Sequence, residues 1–236
     1  MILDSFSPYS VIFQLQYPDA YEVWDRAGAI ARDFAKLWPN AVVVEGLPQQ
    51  QTLRAGDVDI QSGFSQSTLT FRNVKSLDQT NRQIEFAYPI WKSHLELGEL
   101  KRISARTIFA RKFESLGDAN QYWRSLGLIR WPSQRVFEQS VDSEQNGFDL
   151  TYRFEDENQF STVRIRTERL IFKAELDPYF FSTETKLSET RFRAVIEFDR
   201  GNLGTVRTEK LRIDDWLKGY AHVLRRDIDK VLGGER

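Results

Sequence analysis

Apolar residues recur at two spacings along this chain, and the order of the two spacings repeats. In residues 11–17 apolar side chains alternate with others, which is the period of a half-buried strand. Residues 21–38 then place apolar side chains at steps of three and four, which predicts an amphipathic helix with Asp19 as its N-cap and Pro39 beyond its end. Residues 105–114 and 118–126 repeat this strand and helix.

Further extended segments follow each copy of this pair. In the first half they are expected at 42–44, 58–64, 68–73 and 82–88, and Pro89 then suits the first turn of a second helix over 89–102. In the second half the alternating segments are 148–155, 163–166 and 191–199, and an amphipathic helix over 213–232 ends at Gly233. Residues 130–146 lack periodicity and are expected to form a loop.

The alternation implies a sheet with one packed face and one wet face, which favours antiparallel strands. We therefore predict an α+β fold in which a duplicated β-α-β(3-4)-α unit forms a curved antiparallel sheet with amphipathic helices on one face. The halves would be residues 1–104 and 105–236, fused into one body. Trp24 and Trp123, like Trp91 and Trp216, would be matching core residues. The layout resembles the duplicated saddle of TATA-box binding proteins and, more loosely, helix-grip folds, and such a likeness implies topology alone.

Three sequence stretches carry a second resemblance. They are Tyr-Pro-Ile-Trp at 88–91, Ser-Ala-Arg-Thr-Ile-Phe-Ala-Arg at 104–111 and Ile-Asp-Asp-Trp at 213–216. In these the chain resembles a sporadically distributed bacterial family of uncharacterised proteins of similar length. That family has an Arg-Tyr-Ile-Asn-like element where this chain has Arg-Thr-Ile-Phe at 106–109. The resemblance implies a fold and a bacterial or phage-related origin, and it assigns no catalytic residues.

Composition narrows the classes of function. The 236 residues include 33 basic and 34 acidic side chains, so the net charge of −1 provides no global attraction to nucleic acid or an anionic membrane. The chain has no Cys, which excludes disulfides, thiolate catalysis and sulfur-ligated metals. Neither a signal peptide nor an apolar run of about 20 residues is present, so we expect a cytoplasmic protein that does not enter a membrane.

Motifs for catalysis are missing from the sequence. His94 and His222 fall in corresponding helices of the two halves, yet neither has a second ligand at metal-binding spacing. There is no G-x-S-x-G elbow, P-loop or G-x-G-x-x-G, and Asp57 with Asp59 is more typical of a solvated strand edge. We expect no metal, no cofactor and no enzymatic activity.

Two surfaces remain as candidate sites. Five arginines of the second half fall on the predicted wet face: Arg153, Arg164, Arg166, Arg191 and Arg193. They could form a patch for phosphates or an acidic partner, or they could pair with carboxylates of the same face as an ordinary charge ladder. Tyr179, Phe180 and Phe181 lie in a long connection and could either contact a partner or close the end of the core.

These features favour a non-enzymatic interaction or assembly protein that binds a protein partner or self-associates. The alternatives are nucleic-acid binding through the arginine-bearing face and small-ligand binding between the sheet and the helices.

Overall fold

The structure is a computed structural model that describes residues 2–47, 49–128, 147–175 and 186–233. The described residues contain four α-helices: α1 (Glu22–Leu37), α2 (Leu77–His94), α3 (Leu116–Ser125) and α4 (Ile213–Val231). They contain eleven strands: β1 (Ser7–Gln16), β2 (Val42–Leu47), β3 (Gln50–Ala55), β4 (Val58–Gly63), β5 (Gln66–Arg72), β6 (Glu99–Leu100), β7 (Arg102–Phe113), β8 (Asp149–Glu155), β9 (Gln159–Glu175), β10 (Lys186–Asn202) and β11 (Val206–Arg207).

Nine of these strands form one open antiparallel sheet in the order β2-β3-β4-β5-β1-β7-β10-β9-β8, while β6 and β11 pair separately. The strands β1 and β7 lie at the centre and pair from Ser7 opposite Ala110 to Gln16 opposite Arg102. On either side of them, β5 pairs with β1 as β10 pairs with β7. The order strand, helix, three or four strands, helix therefore occurs twice along one continuous sheet.

The four helices of the described residues pack on one side of this sheet, which confirms the predicted α+β fold class. Phe13 and Leu15 of β1 are fully buried on that side, as is Trp91 of α2. Removing such side chains from water contributes about 1.5–3 kcal/mol each, so this layer dominates the stability. Buried polar groups are paired within it: Trp91 Nε1 donates to Ser62 Oγ at 2.8 Å. The opposite side of the sheet is called the open face below.

The predicted strand at 82–88 is wrong, because these residues belong to α2. The helix begins after Ser76, whose side chain accepts a hydrogen bond from Gln79 N at 3.3 Å, and it continues through Pro89 to His94 rather than to residue 102. Its buried residues are Thr80, Ile84, Ala87, Tyr88 and Trp91. Those steps of three and four define a helical stripe, and the alternation of apolar residues at 84, 86 and 88 was coincidental.

Two smaller predictions about α1 are also wrong. Tyr21 occupies the N-cap position and no side chain caps the helix, so Asp19 does not have the predicted role. Trp24 is 55% exposed, whereas its proposed counterpart Trp123 is fully buried. The helix buries Val23, Ile30 and Phe34, and Trp24 lies beside that stripe.

The predicted loop at 130–146 lies outside the described residues, and the division into halves at residue 104 remains a prediction.

None of the helices in the described ranges combines the length and apolar character needed to cross a membrane.

Candidate functional site

The open face differs between the two halves of the sheet. In the first half its cross-strand rows carry mainly neutral polar side chains, with Thr68 between Gln14 and Gln61, apart from Asp59, which pairs with Arg54 and Arg72. In the second half Arg164 lies between Thr151 and Glu197. The arginines predicted for the wet face therefore do lie on the face that the helices leave uncovered.

All five of those arginines form ion pairs. Arg166 contacts Glu168 at 2.7 Å and Glu197 at 2.8 Å, and Glu168 also contacts Arg193 at 2.7 Å. The remaining pairs are Arg153 with Glu155, Arg164 with Asp149 and Arg191 with Glu189. The hydrogen bond from Arg164 is the main reason why the pKa of Asp149 lies below its ordinary value.

These ion pairs match the alternative in which the arginines pair with carboxylates of the same face as a charge ladder. The outer pairs are exposed, and pairs of that kind contribute about 0–1 kcal/mol each. The central network is drier, since the side chains of Arg166, Glu168 and Arg193 are only 12–20% exposed. Guanidinium groups engaged in this way must break an existing contact before they bind a phosphate. The assignment of these arginines as binding residues remains a prediction.

An aromatic residue lies on the open face beneath this ladder. Phe160 pairs across the sheet with Gly201 and is 4% exposed, because the guanidinium carbons of Arg102 and Arg153 lie 4.6 and 5.2 Å from its ring centre. The contacts are cation–π stacks. The ring is therefore covered and does not offer a stacking surface to a ligand.

An apolar stretch of the surface lies at the edge strand β2. Its six residues are all exposed, and Val42, Val43, Val44 and Leu47 retain 46–58% of their accessible surface. Its only charged residue, Glu45, accepts hydrogen bonds from Gln50 Nε2 at 3.0 Å and Thr52 Oγ1 at 3.2 Å. The outer backbone groups of β2 have no strand partner within the described residues.

An exposed aromatic cluster adjoins one end of β2. The ring centres of Tyr21 and Trp24 lie 4.7 and 5.9 Å from that of Phe64. Beside them a cavity of about 440 Å³ opens between α1 and the β2–β3 hairpin, with Trp24 and Leu47 in its wall. The cluster and β2 together, here named the β2 surface, comprise Tyr21, Trp24, Val42, Val43, Val44, Leu47 and Phe64.

The opposite edge of the sheet, β8, has a different character. It carries Asp149, Arg153 and Glu155, and all three charged groups are bound in the ion pairs described above. Charged residues on an edge strand discourage pairing with another chain. The two edges of one sheet thus differ, and β2 is the one whose side chains favour association.

The two histidines and the pair Asp57 and Asp59 do not form a shared cluster within the described residues. His94 Nε2 lies 2.6 Å from Asp33 Oδ2 of α1, whereas His222 is exposed in the middle of α4. Asp59 is bound to Arg54 and Arg72, and Asp57 accepts from Asn73. Among the described residues no group of three or more His, Asp or Glu could hold a metal ion.

Sequence reasoning missed the β2 surface for two reasons. The predicted partner segment Tyr179, Phe180 and Phe181 lies outside the described residues, so the structure gives no account of it. Trp24 was placed in the core because its helix carries a wide apolar stripe, and its packing against Tyr21 could not be read from spacing. The run of valines at 42–44 was the available signal, but only the strand order identifies an edge.

Comparison of the chain with protein-family models and with curated proteins finds no match.

Proposed function

We propose that this protein is a non-enzymatic assembly protein that joins a second copy of itself through β2. The observation that carries the proposal is an edge strand whose six residues are all exposed and four of which are large and apolar. Free backbone donors and acceptors on such an edge pair readily with an added strand. Burial of the valines and of Leu47 would supply the apolar contribution.

A second copy fits this edge because β2 is compatible with itself. The pairing of β2 with β3 shifts between Val43 and Glu45, so the antiparallel pair is centred on Val44, the residue at that irregularity, and only Val44 is placed opposite its own copy. The two Glu45 side chains then never face each other, which avoids the cost of like charges in directly opposed positions. The two-fold operation also closes the assembly at a dimer instead of an open fibre.

Light scattering coupled to size exclusion tests the proposal. The unmodified chain should elute with the mass of a dimer, and Val43→Lys should reduce that mass to a monomer because it places an ammonium group in the new strand pair. Thr151→Lys, an exposed position on β8, is the matched control and should leave the dimer intact. A monomeric unmodified chain, or a dimer that survives Val43→Lys, would overturn the proposal.

The absence of Cys from the sequence allows a test of the register. Directly opposed Cα atoms in an antiparallel pair lie about 4.5–5.5 Å apart, within the range that a disulfide spans. Val44→Cys should therefore form a covalent dimer on mild oxidation, and Thr151→Cys should not. Equal crosslinking at both positions would indicate random collision and would contradict the register.

A further inference from the structure

A cleft of about 380 Å³ opens on the open face where β1, β7, β9 and β10 meet. A β-bulge in β1 lies at its rim, because the pairing with β7 shifts between Pro8 and Ser10 and leaves Tyr9 without a partner there. The Tyr9 ring is 42% exposed. Bulges re-aim side chains in this way next to binding sites.

The cleft has an excess of positive charge that the arginine ladder does not neutralise. Arg193 lies directly opposite Lys112 across β10 and β7, and like charges in that position destabilise a sheet. Glu168 compensates Arg193 but is shared with Arg166. Lys112 is exposed and forms no ion pair with the described residues, although it helps Arg191 to lower the pKa of the nearby Glu189 carboxyl.

Two exposed rings accompany these charges. The guanidinium carbon of Arg193 lies 4.5 Å from the ring centre of Tyr9, and that of Arg191 lies 4.8 Å from the ring centre of Phe172. The Phe172 ring is 46% exposed. The cleft thus presents exposed planar groups beside an ammonium group that forms no ion pair with the described residues, in contrast to Phe160, whose ring is covered.

We propose that this cleft, lined by Tyr9, Lys112, Phe172, Arg191 and Arg193, binds a nucleoside phosphate. Lys112 would neutralise the phosphate, and the base would stack on an exposed ring or on a guanidinium plane. The volume falls in the range of about 300–1,000 Å³ that is common for small-ligand sites. A long nucleic acid would need a charged track, but the neighbouring Arg164 and Arg166 are already paired, so a small ligand is favoured.

Calorimetric titration with adenosine monophosphate, guanosine monophosphate, adenosine and inorganic phosphate tests this. At least one nucleotide should bind about tenfold more tightly than adenosine or inorganic phosphate. Adenosine lacks the phosphate group that Lys112 would bind, and inorganic phosphate lacks the base that would stack. Phosphate that binds as tightly as the nucleotides would reduce the cleft to a simple anion site and overturn the proposal. Failure of both nucleotides to bind would also overturn it, as would an oligonucleotide that binds far more tightly than either.

Variants locate the site. Lys112→Ala and Tyr9→Ala should each weaken nucleotide binding about tenfold or more, whereas Arg164→Ala, on the same face but outside the cleft, should not. Lys112 is exposed, so its variant should keep the circular dichroism of the unmodified chain even if Tyr9→Ala misfolds. Val43→Lys should bind nucleotide normally, which separates this proposal from self-association through β2. Retention of full affinity in Lys112→Ala would contradict the assignment.

Discussion

Gly201 governs the packing of the open face around Phe160. A Cβ atom at this position would lie 2.7 Å from Phe160 Cε1, 2.8 Å from the carbonyl oxygen of Ile103 and 2.9 Å from Ser104 Cβ. Real Cβ atoms do not approach other atoms so closely, and a backbone oxygen in a central strand cannot move aside. The glycine is required by the close approach of three strands.

Gly201→Ala should therefore destabilise the protein by about 1–3 kcal/mol, the usual cost of overpacking. Gly219→Ala is the matched control, because Gly219 lies inside α4 and the added methyl group would meet no atom within 4 Å beyond its chain neighbours and the backbone of its own helix. Alanine is the better helix former there, so the control should gain about 0.5–1 kcal/mol. Urea unfolding of both variants measures the free energies. If both substitutions changed the free energy of unfolding equally, the methyl group at position 201 would be accommodated without cost, which would contradict the prediction.

The carboxylate of Asp33 joins α1 to the end of α2. A hydrogen bond from Lys36 Nζ at 2.6 Å and the 2.6 Å contact with His94 Nε2 lower the pKa of Asp33 from 3.8 to about 2. The folded state therefore binds this proton more weakly than the unfolded state. The contribution of Asp33 to stability is present above about pH 4 and is lost as the pH falls towards 2.

The Asp33→Asn variant should show a shallower fall in stability than the unmodified chain between pH 4 and 2, because it has no carboxyl group to protonate at this position. Thermal unfolding across that pH range measures the difference, and a carbon-detected NMR titration measures the pKa directly. An Asp33 carboxyl that titrates near 4 would contradict the prediction.

At the scale of elements, α2 shows a helix that tolerates a proline. Pro89 is exposed and lies in the fourth turn, where it has no N–H to donate to the carbonyl of Glu85. The helix forms nonetheless because Ile84, Tyr88 and Trp91 are buried on one stripe. The sequence pattern predicted a helix start at Pro89 because proline suits the first turn of a helix. Burial of this stripe outweighs that local preference, so the helix runs through the proline.

Pro89→Ala should restore the missing backbone hydrogen bond and raise the free energy of unfolding by about 1–3 kcal/mol. Chemical denaturation measures the gain. An unchanged or lower stability would mean that the bend at Pro89 is needed to fit α2 on the sheet.

At the scale of the whole molecule, the central pair β1–β7 joins the two repeated units into one sheet. Their register spans the full length of β1, and separation would expose two central strands at once. Hydrogen bonds also cross between the units: Lys92 Nζ donates to the carbonyl oxygen of Thr208 at 3.1 Å, and Leu3 N donates to Asp229 Oδ1 at 2.9 Å. The two units should therefore be stable only together.

The whole chain should accordingly unfold in one transition. Trp91 of α2 and Trp123 of α3 are both fully buried, one in each repeated unit, so their indole NMR signals should disappear at the same urea concentration. Loss of the Trp123 signal well before that of Trp91 would show that the second unit unfolds independently.

The sequence by itself determined the local elements and their order. Alternating and helical spacings located β1, α1, β7, α3 and α4 to within a few residues, and repetition of the order gave the fold class. It failed where burial overrode spacing, at residues 82–88 and at Trp24. The wet side of the arginine strands was also predictable, because alternation in a strand fixes which side chains share a face.

Only the tertiary structure decided what these faces and edges can do. Strand order makes β2 an exposed edge, and cross-strand register places Lys112 opposite Arg193 and each arginine beside a carboxylate. Such contacts join residues far apart in the chain, so no local pattern encodes them. The physical reason is that periodicity records whether a side chain is buried, whereas pairing of strands determines which neighbour it meets.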